Sequence, residues 1–310
     1  MSVAVLGSIN VDIAAYAERL PRPGETLHGT SYAVTLGGKG ANQAVAAARL
    51  GSEVKLIGRI GCDRFGETAA AELADAGIDT ALVLRDPEAS TGIAIIGIDA
   101  RGENAITVIA GANLALDGSD VERGRAGLAS ARVVMLQLET PPSVSYIGAD
   151  IARAGGARVI FDPAPAPYEG LSPDLYRRVD ILTPNEIEAE ALVGFRPSNR
   201  EEGARACRLL RERGIGTAIV KLGERGVCFL GPEGEGFVPP YKVASIDSVA
   251  AGDCFNGGLA FALDRGRPMA EAVRFAAACG ALATTRRGAA ASAPALPEVE
   301  ELVARGLDFR

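Results

Sequence analysis

Asp253 closes the run Asp247-Ser-Val-Ala-Ala-Gly-Asp253 and is followed by Cys-Phe-Asn-Gly-Gly258. Ala250, Ala251 and Gly252 are small enough for backbone N–H groups to approach an anion where a helix begins. Such a cradle suits a phosphoryl group in transit, whose charge spreads over three oxygens. Asp253 stands where a carboxylate accepts the proton of an attacking hydroxyl. A helix N-cap alone would also explain an Asp here. The small residues before it and the Asn-Gly-Gly after it favour the chemical reading.

A second motif, Gly37-Gly38-Lys39-Gly40-Ala41-Asn42, directly precedes a helical stretch. Its glycines permit close approach of a ligand to the backbone, and Lys39 adds a cationic donor. It is not a Walker A loop: Ala33 occupies the place of the first glycine, and no Ser or Thr follows Lys39. A flexible turn into a helix is the plainer alternative. Asn10 and Asp12 pair a carboxamide with a carboxylate, which suits adjacent sugar hydroxyls, although turn chemistry explains them equally well. Glu139 is a further hydroxyl ligand or a strand-end charge. Asn185 and Glu188 fit a capped helix start, or a phosphate contact with a carboxylate holding magnesium-bound water. The segment from Lys221 through Gly223 and Glu224 to Gly226 reads as a tight turn against which a nucleotide can lie.

Composition removes other chemistries. His28 is the only histidine, so multi-histidine metal sites are impossible, and a Ser-His-Asp site has one candidate. Five cysteines without a C-x-x-C spacing argue against a disulfide framework or zinc ribbon. The net charge of −7 disfavours nucleic acid and anionic membrane as partners. No signal-peptide pattern or stretch of about 18 apolar residues is seen, so a cytoplasmic protein is expected.

Positioning these groups requires a scaffold. Short apolar β-branched runs at 3–6, 54–60, 133–137, 158–161, 181–183 and 217–221 alternate with helical stretches. Those stretches lie at 41–50, 67–76, 143–154, 201–213, 254–263 and 270–284. The alternation implies an α/β fold: a three-layer sandwich with a mostly parallel central sheet. In such sheets ligands bind beyond the carboxyl ends of the strands, where these polar motifs fall. Residues 12–36 and 91–109 lack helices and read as antiparallel strands that pair into a small separate sheet. A further hairpin is expected at 226–241. No linker or repeat is visible, so 1–310 reads as one domain carrying an inserted β lid.

The motifs, in this order, resemble the ribokinase family of carbohydrate kinases. The resemblance covers about residues 3–294 and rests on Gly-Ser-Ile-Asn-Val-Asp (7–12), Gly-Gly-Lys-Gly-Ala-Asn-Gln-Ala-Val-Ala-Ala (37–47), Thr-Pro-Asn-Glu (183–186) and Ala-Ala-Gly-Asp-x-Phe-Asn-Gly (250–257). It implies ATP-dependent phosphorylation of D-ribose on its 5-hydroxyl. Asn10, Asp12, Gly38, Lys39, Gly40, Asn42 and Glu139 would bind sugar. Asp253 would be the base, with the amides of Ala250–Asp253 as anion hole. Asn185, Lys221, Gly223, Glu224, Gly226, Gly252, Asp253 and Ala277 would meet ATP. Glu188 would organise Mg²⁺ through water. A potassium ion would sit at Asp247, Val249, Ala283, Arg286, Gly288 and Ser292, several through carbonyls. The lid would close the sugar site and pair two subunits. Lys221, Cys254 and Ala277 depart from residues common at these places: a small hydroxyl, a Thr and a polar side chain. A kinase for another pentose, a hexose or a nucleoside, and a non-catalytic sugar-binding regulator, are the alternatives.

Overall fold

The computed structural model describes residues 2–306; residue 1 and residues 307–310 of the expected 1–310 unit lie outside the described residues. The strands, in chain order, are β1 Ser2–Leu6, β2 Asn10–Tyr16, β3 Ser31–Gly37, β4 Glu53–Gly61, β5 Val83–Asp86, β6 Gly92–Ile98, β7 Asn104–Ile109, β8 Val133–Leu136, β9 Arg158–Phe161, β10 Ile181–Leu182, β11 Thr217–Lys221, β12 Val227–Gly231 and β13 Gly234–Val238. The helices are α1 Lys39–Arg49, α2 Arg64–Asp75, α3 Gly118–Arg123, α4 Arg125–Ser130, α5 Pro142–Ala154, α6 Pro173–Arg178, α7 Glu186–Val193, α8 Arg200–Glu212, α9 Ala251–Asp264, α10 Met269–Ala283 and α11 Leu296–Arg305.

Nine strands form the main sheet in the order β13-β12-β11-β10-β9-β8-β1-β4-β5, every neighbouring pair parallel except β11–β12 and β12–β13. That edge hairpin turns at Gly231-Pro-Glu-Gly, within the expected span 226–241. The central strands are apolar on both sides because both faces are covered. Along β1, Val3 and Val5 enter one core with α1, α9 and α10, while Ala4 and Leu6 enter the other. β8 splits likewise: Val133 and Met135 face one way, Val134 and Leu136 the other. Each such fully buried Val or Leu contributes roughly 1.5–3 kcal/mol. The strand ends carrying the polar motifs are therefore held by the most deeply packed part of the molecule.

The second sheet has the order β3-β2-β6-β7. Two of its pairs are antiparallel, but β2 and β6 run parallel, with Asn10 opposite Gly92 and Tyr16 opposite Ile98. This corrects the expectation of an antiparallel sheet throughout. The reason lies in the main sheet: β2 follows β1 and β6 follows β5, and both parent strands run in one direction, so both extensions leave the same edge outward. The sheet also begins at Asn10 rather than residue 12. Its outer part exposes apolar side chains: Val34 is 39% exposed, Ile95 47%, Ile106 52% and Val108 53%.

Candidate active site

Asp253 lies in the first turn of α9, which starts three residues before the helix expected from the sequence. Ala250, the residue before this helix, has φ 56° and is the one non-glycine with positive φ among the described residues. Left-handed backbone costs a residue with a Cβ on the order of 1–2 kcal/mol. The bend it produces aims the start of α9 at the cleft. The Ala251 amide is taken by the Ser248 carbonyl at 3.3 Å. The amides of Gly252 and Asp253 remain as first-turn donors without an intrahelical acceptor.

The Asp253 carboxylate is 5% exposed and held by two amide side chains of α1. Asn42 Nδ2 donates to Oδ2 at 3.0 Å, and Gln43 Nε2 donates to Oδ1 at 3.1 Å. Gln43 Nε2 also reaches Asp162 Oδ2 at 3.0 Å, and its Oε1 accepts from Gln137 Nε2 at 2.8 Å. Burial pushes the Asp253 carboxyl up from 3.8 to about 6; Lys39 opposes the shift and Asp162 adds to it. A carboxylate poised near neutrality in a buried cleft suits proton abstraction.

Asn10 and Asp12 lie on β2 in the same cleft. Asn10 Oδ1 accepts from Asn113 Nδ2 at 2.7 Å, and Asn113 is tied to the backbone N–H of Ile9 at 2.8 Å. The Asp12 carboxyl is raised to about 6 by burial, then by Glu139 and Asp253. Gly37 and Gly38 make room for this pair: a Cβ on Gly37 would lie 2.1 Å from Asp12 Oδ1, and one on Gly38 2.7 Å from the Asn10 nitrogen. Gly38 also has φ 86°, which favours glycine. Glu139 Oε2 accepts from Ser8 Oγ at 2.5 Å and from the Lys39 amide at 3.0 Å, while the Gly40 amide donates to Ser8 Oγ at 3.3 Å. Burial alone would lower the Lys39 pKa, but Asp253, Asp162, Glu139 and Glu188 outweigh it and raise it. The ammonium thus sits charged among four carboxylates.

Across the cleft, Asn185 caps α7, accepting from the amides of Ile187 and Glu188 at 2.9 Å. Glu188 closes the box, its oxygens accepting from the Asn185 amide and from Nδ2, both at 2.8 Å. Burial and Asp162 raise its pKa, while Lys221 opposes them. The turn holding Gly223, Glu224 and Gly226 is joined to this helix by an Arg225–Glu186 ion pair and by the Lys221 amide on the Pro184 carbonyl at 2.9 Å. Ala277 is half-buried on α10, one turn before Gly280, whose Cβ position is 3.0 Å from the Ala251 carbonyl.

The residues expected to hold a cation lie in two segments, 247–249 just before α9 and 283–292, which Asp247 joins. Asp247 accepts from the Val249 amide at 3.0 Å and the Gly288 amide at 3.2 Å, and its own amide meets the Thr284 carbonyl at 3.1 Å. The Arg286 amide bonds the Ala283 carbonyl at 3.2 Å, and Ser292 Oγ bonds the Ala289 carbonyl at 2.8 Å.

Gln43, Asn113, Gln137 and Asp162 were missed by the sequence reading. Asp162 directly follows β9, the same strand-end signal that marked Glu139 after β8, and Gln43 adjoins the glycine motif. Asn113 lies in the 3₁₀ turn Gly111–Ala115 with no local signal.

Residues 1–296 match the pfkB family of carbohydrate kinases. The chain belongs to that family. It is 40% identical over 303 residues to a ribokinase of Haemophilus influenzae, covering 97% of this chain and 98% of the relative. It is 34% identical over 301 residues to a deoxyribokinase of Salmonella typhi, with 97% and 98% covered. Among solved structures, a ribokinase of Thermotoga maritima superposes with a TM-score of 0.87 at 34% identity, covering 98% and 99% of the two chains. An Arabidopsis thaliana ribokinase complexed with ribose and ATP gives 0.88 at 31%, covering 97% and 98%. As a pfkB kinase, the chain places its two glycine-bearing motifs on facing helix starts. No helix among the described residues is long and apolar enough to cross a membrane.

Proposed function

We propose that this chain transfers the γ-phosphoryl group of ATP to the 5-hydroxyl of D-ribose. One observation carries the reading: the buried Asp253 carboxylate lies beside the free amides of α9 and is fixed by Asn42 from the helix that follows the lid. The ribose-named relatives support the sugar. Asn10, Asp12, Lys39, Asn42 and Glu139 would hold the sugar hydroxyls, and the loops at Asn185 and 223–226 the nucleotide.

In the transfer, Asp253 takes the proton of the sugar hydroxyl. That oxygen forms a bond to the γ-phosphorus in line with the breaking bond to the β–γ bridging oxygen. The electron pair leaves with ADP. The amides of Gly252 and Asp253 meet charge on the migrating group, a preorganised contribution worth roughly 10²–10³ per donor. Lid closure excludes water, a competing acceptor.

The residues fit a magnesium ion held through water. Both Glu188 oxygens already accept from Asn185, and no group of three or more acidic, His or Cys side chains among the described residues forms a direct cage. Magnesium keeps several waters in such sites and neutralises ATP phosphates when bound. Potassium would be held beside residues 247–249 and 283–292 by the Asp247 carboxylate, which keeps lone pairs beyond the two backbone amides it accepts from, and by backbone carbonyls. The apolar lid surface fits a second copy of the chain.

An ADP-release assay with MgATP and a panel of sugars tests the reading. D-ribose is expected to give the highest kcat/KM; a nucleoside or hexose as best substrate would overturn it. Deoxyribose is the second reading, favoured by the Salmonella deoxyribokinase relative.

A further inference from the structure

We propose that Gln43 is a positioning residue for the transfer: its one NH₂ group, turned by Gln137, grips Asp253 and Asp162 together and keeps the base carboxylate charged and aligned. The inference rests on the kinase reading and deepens it, adding a residue that acts through Asp253.

Gln43 lies one turn into α1 and is fully buried. A carboxamide carries two N–H donors on one nitrogen and one acceptor oxygen. Gln43 Nε2 is 3.1 Å from Asp253 Oδ1 and 3.0 Å from Asp162 Oδ2, so each donor meets a carboxylate. Turned about, the amide would set its oxygen against both carboxylates, a repulsive contact that burial strengthens. The oxygen therefore lies on the far side, where Gln137 Nε2 donates to it at 2.8 Å. Gln137 directly follows β8 and is 1% exposed. A Cβ on Gly7 would lie 2.0 Å from Gln137 Oε1, so the loop leaving β1 carries no side chain that would push this amide aside. Donation runs one way, from Gln137 through Gln43 to the two carboxylates.

Helix packing keeps the grip at one length. A Cβ on Gly257 of α9 would lie 2.5 Å from the Ala46 side chain and 3.0 Å from the Gln43 carbonyl, so α9 rests directly on α1. Asp253 stands one turn before that contact. The charged groups facing it are Lys39 of α1, Asp162 after β9 and Asp12 of β2, while Glu188 of α7 and Lys221 of β11 face Asp162. Asp162 disfavours charge on Asp253, Lys39 favours it, and the Gln43 bond works on the side of Lys39. The plainer role, a buried amide that ties α1 to the sheet, would be met by any acceptors in reach. It does not account for both hydrogens going to ionisable groups, one of them the base.

Gln43→Met nearly keeps the volume and removes both donors. Steady-state kinetics should show kcat lowered roughly 10–100-fold, the effect of a misaligned reacting group, with sugar and ATP KM within about threefold of wild type. The acid limb of kcat/KM should move to higher pH, because the bond that favours the Asp253 carboxylate is gone. Absence of either effect would overturn the proposal; a lowered Tm with kcat and the limb unmoved is what a merely structural role gives. Gln137→Met should repeat both effects at smaller size and change kcat less than about twofold when added to Gln43→Met, since it acts through that residue. Effects that multiply independently would overturn the assigned order. If Gln43→Met does not fold, Gln137→Met decides on the same two readouts. Carbon-13 NMR of the Asp253 carboxyl follows its titration without turnover. Absence of sugar phosphorylation by the wild-type chain would sink the kinase reading, and an upward-shifted titration in Gln43→Met would still establish the grip; an unshifted one would sink it too.

Discussion

Asn42 donates its side-chain amide to Asp253 at 3.0 Å, joining two motifs that lie 211 residues apart. Each Asp253 oxygen accepts one such bond and keeps a second lone pair for a substrate proton. Asp253→Asn should therefore lower kcat roughly 10²–10⁴-fold with the fold intact. The adjustment is small, because Asn42 Oδ1 is buried without a partner and can accept from the new amide after a flip. Steady-state kinetics checks this; turnover near wild type would remove Asp253 as base.

The same substitution should stabilise the protein at pH 8. The carboxyl titrates near 3.8 when unfolded and at about 6 when folded, chiefly through burial. Below 3.8 both states are protonated and the ionisation penalty is absent. It grows as pH rises from 3.8 to about 6 and then stays constant, on the order of 3 kcal/mol. Thermal melts should show Asp253→Asn above wild type at pH 8 and close to it at pH 4. An unchanged or lower Tm at pH 8 would show that the native site does not penalise the charge.

Activity should follow the same titration. Asp12 and Asp253 both reach about 6, so kcat/KM for the sugar should be level above pH 7 and fall below about 6. With two groups titrating, the acid limb should be steeper than for one, and Asp12→Asn should reduce that steepness. A profile flat down to pH 5 contradicts this.

Gly37→Ala tests the sugar contact without touching the ligand itself. The added methyl would fall 2.1 Å from the Asp12 carboxylate and must displace it. The expected result is a raised sugar KM, at least about tenfold, with the ATP KM within about threefold of wild type. Asp12→Ala should be more severe, since it strands the groups that faced it. Unchanged sugar KM in both variants defeats the assignment.

The lid surface predicts association. Ile106 and Val108 are each more than half exposed on β7 and face the same way as Ile96 and Ala94 of the adjoining strand. Sedimentation of the wild type should give twice the chain mass, and Ile106→Asp with Val108→Asp should return it to one. A wild type that sediments as a monomer argues against pairing through the lid.

The central strands were legible because their side chains are apolar on both faces and bounded by turns. β5, with Val83 and Leu84 only half-buried, gave no such contrast. The short helices α3, α4, α6 and α7 carry too few turns for a clear helical period, whereas α1, α5, α8 and α10 were read to within about two residues at each end. Parallel pairing of β2 with β6 is set by the direction of β1 and β5, which no local pattern records. In the site, residues beside glycine motifs stood out. Of the second layer of amides, Gln43 adjoins a glycine motif but was not singled out, and Gln137 and Asn113 carry no such signal, because their roles depend on partners far along the chain.

Gly40 has its own consequence. A methyl there would strike the backbone of Gly7 and Ser8 at 2.6 Å, so α1 rests directly on the loop leaving β1 with no side chain between. That contact fixes one bank of the cleft, where Asn42, Gln43 and Asp253 keep their spacing, while Asn10 and Asp12 face it from the outer sheet. The carboxylate and its amide partners thus keep one spacing as an anvil seated on the main sheet, whatever molecule is brought against them.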